Sequence, residues 1–288
     1  MSEKERKFKR GFEGFDLSMF IGEEIYQYIK KDIDHGEIFP ALRDNRIDFY
    51  YEGGCIFQYK NNRFSYNPAY LKYNEEKYKP QNSKNSIFKN HNFDLKTFYE
   101  DLKQGVKNRF TTKNNKETER QFLSRLYKST HSCKESNTVV LDIEIRFNKV
   151  DGKKCDLMLY NNQKKKLMLV EAKVVGNKYL VSKTTPKVID QVREYSSWIN
   201  EGAETFTKQY SYYIEFMNSV FDKNLNNDIK DICKSAKLII FETEKKTIID
   251  KHKQKLQVGL GKGNVWFVSK DKSQENIDID TIWKMLDK

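Results

Sequence analysis

Proline and glycine are scarce in this 288-residue chain, at 4 and 13 residues. That excludes collagen-like and low-complexity classes, which are built on those residues. Cysteine is also rare. Cys55, Cys133, Cys155 and Cys233 lie far apart, so there is no C-x-x-C ligand pair and no basis for a disulfide framework. The histidines (His35, His91, His131 and His252) are isolated from one another, and His131 with Cys133 forms an H-x-C pair in a polar stretch read as loop. A structural zinc site and Cys–His catalysis are therefore not expected. No apolar run approaches the roughly 18–20 residues of a membrane span. The basic start, MSEKERKFKRGFEGF, is not followed by the apolar stretch of a signal peptide. The expectation is a reduced, cytoplasmic, soluble protein with no membrane partner.

What the chain does have is charge and aromatic rings. Lys and Arg number 53 against 41 Asp and Glu, for a net charge of +12, and 14% of residues are aromatic. Such a balance points to an anionic partner, nucleic acid or a membrane surface. The bland reading stands beside it. Only ten of the cations are Arg, and the abundance of Lys, Asn, Ile, Tyr and Phe is what an AT-rich genome encodes.

Along the chain, residues 16–33 set Phe20, Ile21, Ile25, Tyr28 and Ile29 at helical spacing. Residues 46–59 read as an aromatic hairpin around Gly53 and Gly54, which are expected to supply the positive φ of its turn. Residues 80–92 are polar and aperiodic and form the best linker. Residues 93–110, capped by Asp94, and residues 116–127 read as helices. Three strands follow, at 139–147, 154–160 and 166–175, joined by turns short enough for an antiparallel meander. Helices are expected at 187–199, 208–221 and 228–235, strands at 236–244 and 265–269, and a short closing helix after that. This divides the chain into an accessory α+β region, 1–92, and a second domain, 93–288.

The third strand of the meander carries the most information. Residues 167–170 and 174–175 are apolar, as in a strand covered on both faces. Glu171 and Lys173 interrupt that run. Two apart on a strand, they point to one face about 7 Å from each other, while Ala172 faces away. Unpaired buried charge is costly, so such residues are paired, metal-bound or functional. The preceding strand carries one charge among apolar neighbours, Asp156. Strands lie about 4.8 Å apart, so a hairpin brings Asp156 within reach of sharing one hard cation with Glu171. A Lys beside such a cation orients or deprotonates water, or steadies phosphate charge. The bland alternative is an ordinary Glu–Lys pair and an Asp ending a turn.

The order helix, strand, D-strand, E-x-K strand, helix, strand resembles the PD-(D/E)XK nuclease superfamily. Asp156 with Glu171-Ala172-Lys173 matches the family's D…(D/E)-x-K core. Glu119, on the helix before the first strand, stands where many members place a supporting acid, with Glu117 a rival. Gln191 matches the Gln often found on the helix after E-x-K, in a Q-x-x-x-Y-x-x-W run with Tyr195 and Trp198. The match covers residues 93–245. It departs where Cys155 replaces the family's Pro. In outline it also resembles Shedu-type antiphage nucleases, with E-A-K in place of E-L-K.

The resemblance implies a restriction-endonuclease-like α/β (α+β) fold, a mixed central sheet flanked by helices. It implies Mg²⁺, with Mn²⁺ able to substitute, held by Asp156, Glu171 and the Ala172 carbonyl, with Glu119 a candidate further ligand. Lys173 would position the attacking water and Gln191 would join the catalytic set. The implied activity is that of a metal-dependent endonuclease, most readily on DNA in restriction or phage defence. Many relatives are dimers. Asp142 and Glu144 on the first strand are expected to face solvent, with Glu144 a reserve metal ligand. In the accessory region, aromatics interleaved with Lys60, Arg63, Lys72 and Lys77 suit base stacking and phosphate contact. Lys60, Arg63 and Tyr66 are the nucleic-acid candidates there. The same rings could instead form a small core, or a surface for a protein partner. Two alternatives stay open: a non-catalytic nucleic-acid-binding or scaffold protein on the same fold, and an RNA nuclease.

Overall fold

The structure, a computed structural model, describes residues 8–71, 86–87, 94–110, 118–132, 136–147, 153–182, 184–242, 248–269 and 278–287. It is a mixed α/β chain in two compact units. The N-terminal unit comprises residues 10–132 and 216–223, and the C-terminal unit comprises residues 1–9, 133–215 and 224–288. Among the described residues, no helix is long and apolar enough to cross a membrane.

The N-terminal unit is an antiparallel sheet of β1 (Ile38–Arg43), β2 (Arg46–Tyr51), β3 (Gly54–Lys60), β4 (Arg63–Tyr66) and β5 (Ser86–Ile87), paired in that order. Two of its turns are two residues long with positive φ at both positions, as the twist of a tight hairpin demands. Asn61 and Asn62 make one, at φ 52° and 54°. The other is made by Glu52 and Gly53, at 48° and 80°. Gly54 was expected in that turn but belongs to β3, where an added Cβ would lie 2.7 Å from the Phe110 ring. The helix expected over 16–33 is two helices, α1 (Leu17–Ile21) and α2 (Glu24–Asp34), broken at Gly22. Phe20 fills the core against Tyr59 and Tyr26, at centroid distances of 4.8 and 4.6 Å.

Two further helices, α3 (Leu95–Phe110) and α4 (Glu119–Ser132), belong to this unit, so the division falls at residue 132 and not at 92. Their packing explains it. On α3, Tyr99 stacks on Phe57 at an interplanar angle of 4°, and Phe98 meets Tyr66 edge-on. Gly105 lets the same helix approach the backbone at Tyr70, where a Cβ would fall 1.7 Å from a carbonyl oxygen. The 80–92 linker lies outside the described residues except for β5.

The C-terminal unit is a mixed sheet. Strands β6 (Thr138–Ile145), β7 (Cys155–Asn161) and β8 (Lys166–Val174) form an antiparallel meander. Beyond β8 come β10 (Lys237–Phe241) and β11 (Val265–Val268), both parallel. Between β8 and β10 runs α5 (Lys187–Phe221), a 35-residue helix interrupted at Gly202, the residue type least suited to a helix interior after proline. Its residues from Phe216 onward fall in the N-terminal unit. The helix expected at 228–235 is absent; there β9 (Asp231–Ile232) pairs with β8. A helix not anticipated, α6 (Asp250–Leu260), precedes β11, and α7 (Ile279–Leu286) closes the chain. The centre of β8 is apolar on both faces, and Leu167, Met168, Leu169 and Val170 are fully buried.

Candidate active site

The β7–β8 register pairs Leu157 with Val170. The next position outward sets Asp156 level with Glu171. The Asp156 carboxylate accepts the Ala172 backbone N–H at 2.8 Å, which locks the hairpin in that register. Glu171 is 1% exposed and Lys173 4%. The Lys173 ammonium donates to a Glu171 carboxylate oxygen and, at 2.8 Å, to the Ala172 carbonyl. It also lies 3.6 Å from the Asp156 carboxylate. Three oxygens, from two carboxylates and one carbonyl, thus converge on one positive charge.

Burial pushes the Asp156 carboxyl above the ordinary aspartate range. Lys173, the Ala172 N–H and Glu171 act against that rise, and the Glu144 charge adds to it. Cys155, beside Asp156, is fully buried with its thiol against the Val170 carbonyl at 3.4 Å. Burial, Glu171 and Asp156 drive that thiol far up, so it is no nucleophile.

Gln191 lies on α5. Its amide donates to the Tyr195 hydroxyl at 2.7 Å, and that hydroxyl donates to the Lys154 carbonyl at 2.6 Å. The chain Gln191–Tyr195–Lys154 therefore fixes the backbone two residues before Asp156. Burial, then the Glu171 charge, raises the Tyr195 hydroxyl far above the normal phenol range, and it stays a donor. Trp198 packs on Phe147 and Tyr195 at 4.5 and 5.0 Å. Tyr195, which the sequence shows only as a member of the Q-x-x-x-Y-x-x-W run, and Lys154, which it does not single out, are positioning residues. The available signal was the Tyr four residues after Gln191, on the same helical face.

On β6, the expectation for Asp142 is overturned. It is fully buried, accepting from the Tyr210 hydroxyl at 2.9 Å and from the Ile143 N–H at 2.8 Å. A register shift between Val140 and Asp142 breaks the alternation on which the solvent-facing reading rested. Glu144 lies level with Asp156, between the pairs Ile143–Leu157 and Ile145–Cys155. It has φ 51° and forms an ion pair with Lys154.

Glu119 starts α4 in the N-terminal unit, whereas the cluster belongs to the C-terminal one. Glu117, Lys72 and Lys77 lie outside the described residues. Lys60 and Arg63 are exposed partners across the β3–β4 turn. Tyr66 is 5% exposed and packs on Phe98, so its ring belongs to the core and presents no face to a base.

Among the described residues, no group of three or more His, Cys, Asp or Glu side chains is arranged to hold a metal. The set on offer is two carboxylates and a backbone carbonyl. Those hard oxygens suit Mg²⁺, which keeps several waters, and do not suit zinc. Comparisons of the chain with family models, with curated proteins and with solved structures found no match.

Proposed function

We propose that the C-terminal unit is a metal-dependent phosphodiesterase of the PD-(D/E)XK type, acting on nucleic acid. One observation carries this reading: the oxygens of Asp156, Glu171 and Ala172 converge on a single cation, the Lys173 ammonium. The antiparallel meander followed by α5 and the parallel β10 supports it, because that is the order the resemblance implies. Asp156, Glu171 and the Ala172 carbonyl are the groups that would hold Mg²⁺ or Mn²⁺. When bound, the metal supplies a Lewis acid that lowers the pKa of coordinated water. Lys173 orients the attacking water and balances the charge gathering on the phosphate. Tyr195 and Gln191 hold the Asp156 end of β7 in place through the Lys154 carbonyl. DNA as substrate, and a role in restriction or phage defence, rest on the resemblance alone.

The test is cleavage of plasmid, single-stranded DNA and RNA with Mg²⁺, Mn²⁺ or EDTA. Cleavage is expected with either metal, absent in EDTA, and abolished by Asp156→Ala and by Lys173→Ala in folded protein. Activity surviving in both variants would overturn the site. Nucleic-acid binding without cleavage in the wild type would favour the scaffold alternative.

A further inference from the structure

A second feature of the C-terminal unit carries charge of one sign. A cleft of about 490 Å³ lies between the start of α5, the loop before it, and α6. Arg193, Lys251 and Lys255 line it together with Thr184, Thr185 and Gln254, and no carboxylate among the described residues does. Its floor is a close helix contact. Gly259 on α6 lies so near Ile189 on α5 that an added Cβ would come within 2.4 Å of that side chain. Arg193 fastens the same contact by donating to the Gly259 carbonyl at 2.9 Å. Lys255 fastens the loop by donating to the Ser182 and Thr184 carbonyls, both at 3.2 Å. The walls are therefore built, and Arg193 and Lys255 are each held against backbone carbonyls.

A contrasting cleft of about 270 Å³ in the N-terminal unit shows what self-neutralised charge looks like. There Lys103, Lys107 and Lys128 stand among Glu37, Glu52 and Glu100, and Lys103 and Lys128 are ion-paired within it. An anion finds little net attraction in that cleft.

The α5–α6 cleft offers cations, hydroxyls and an amide, which are the donors that contact phosphate and sugar. Lys251 and Lys255 are four apart on one helix face, about 6 Å along its axis. At 100° per residue, Arg193 points about 200° away from Gln191 on α5. The cleft therefore lies on the opposite face of that helix from the Gln191–Tyr195 chain. We propose that it is a track for the sugar–phosphate backbone of a nucleic-acid substrate, gripping a stretch that flanks the cleaved bond. This rests on the nuclease reading above for its choice of polyanion.

The experiment is fluorescence anisotropy with labelled 30-mer duplex DNA, single-stranded DNA and RNA, in EDTA, from 50 to 300 mM NaCl. Lys251→Glu, an exposed position, is expected to weaken binding roughly tenfold and to lower the salt slope by about one. Lys251→Glu with Arg193→Glu should weaken it further. Lys208→Glu makes the same charge change on an exposed part of α5 outside the cleft and should have little effect. Equal losses from Lys208→Glu and Lys251→Glu would reduce the effect to bulk charge and overturn the track. So would unchanged binding in Lys251→Glu, or attachment through Lys251 to anionic vesicles or acidic peptide instead of nucleic acid. The two readings fail separately. Asp156-dependent cleavage with unaltered binding in Lys251→Glu removes the track alone. Weakened binding in Lys251→Glu without any cleavage by the wild type keeps the track and removes the nuclease.

Discussion

Lys103 and Lys173 are each sealed against two carboxylates, yet they are built differently. Lys103, on α3, reaches Asp32 on α2 at 2.7 Å and Glu37 beyond that helix at 2.9 Å, with the Tyr51 ring 4.9 Å away. Tyr99 also donates to Asp32, at 2.7 Å. Burial alone would lower the pKa of Lys103, but the two acids outweigh it and hold the ammonium charged. Its partners come from separate elements, so the cluster staples α2 to α3. Lys173 gathers its oxygens from one hairpin and from the backbone next to it. Those three contacts all lie within the β7–β8 hairpin. What they create is a small shell of oxygens around one point. Two clusters with the same inventory can therefore be a staple or a coordination shell, and the origin of the oxygens separates them.

The comparison can be broken most directly at Asp156. Asp156→Ala should lower cleavage by at least about a thousandfold, on the several-kcal/mol scale of a metal's contribution, while leaving the thermal melting transition cooperative. Removing the lysines comes next. Lys103→Met strands Asp32 and should cost about 3–5 kcal/mol, with no recovery on adding divalent metal. Lys173→Met should destabilise the fold comparably in EDTA. Mg²⁺ should then raise its melting temperature more than it raises that of the wild type. Because the competing ammonium is gone, calorimetry should also show roughly tenfold tighter Mg²⁺ binding, the scale of one charge-assisted contact. If both variants ignored Mg²⁺ alike, the coordination shell would be a second staple.

Smaller effects sharpen the picture. Tyr195→Phe removes the donor to the Lys154 carbonyl and should slow cleavage about tenfold, or ~1.4 kcal/mol, with metal binding weakened in parallel. An unaltered pH–rate profile with normal metal affinity would reduce Tyr195 to packing.

Lys223 is a third partly buried lysine, and in it burial wins. Desolvation draws its pKa down to about 8, although Asp34 and Asp222 pull upward. Below pH 8 both the folded and unfolded chains are protonated there, and the cost of the buried charge is fully present. As pH rises from about 8 toward the ordinary 10.5, the folded chain sheds the proton first and the cost fades. Lys223→Met should thus exceed the wild type by roughly 1 kcal/mol at pH 7, discounted for screening, with the gap closing toward pH 10. Urea titrations at several pH values measure it, and a gap that widens with pH would reverse the assignment.

The meander and the charges inside it were legible because strand periodicity is strict and because Glu171 and Lys173 break an apolar run. Register was not legible. It is set by ladder bonds and by the Asp156 grip on the Ala172 N–H, which no local pattern encodes. Asp142 misled because a bulge and a tyrosine 68 residues away decide its surroundings. Helix α6 escaped notice because Leu256 is its only buried residue. The aromatic stretch was legible as rings that could form a small core, but which of them do was not, since α3, which brings Phe98 to Tyr66 and Tyr99 to Phe57, begins only at Leu95.

The sealed thiol of Cys155 has a practical side. It sits one residue from Asp156, fully buried and held protonated, so an alkylating reagent reaches it only when the β7–β8 hairpin opens. Its labelling rate is a built-in clock for local opening at the very strands that carry the carboxylates. Cys55, in the N-terminal unit and partly exposed, provides a second clock for comparison. A bound divalent ion that slows the Cys155 clock and leaves the Cys55 clock running would locate its grip without any substrate being cut.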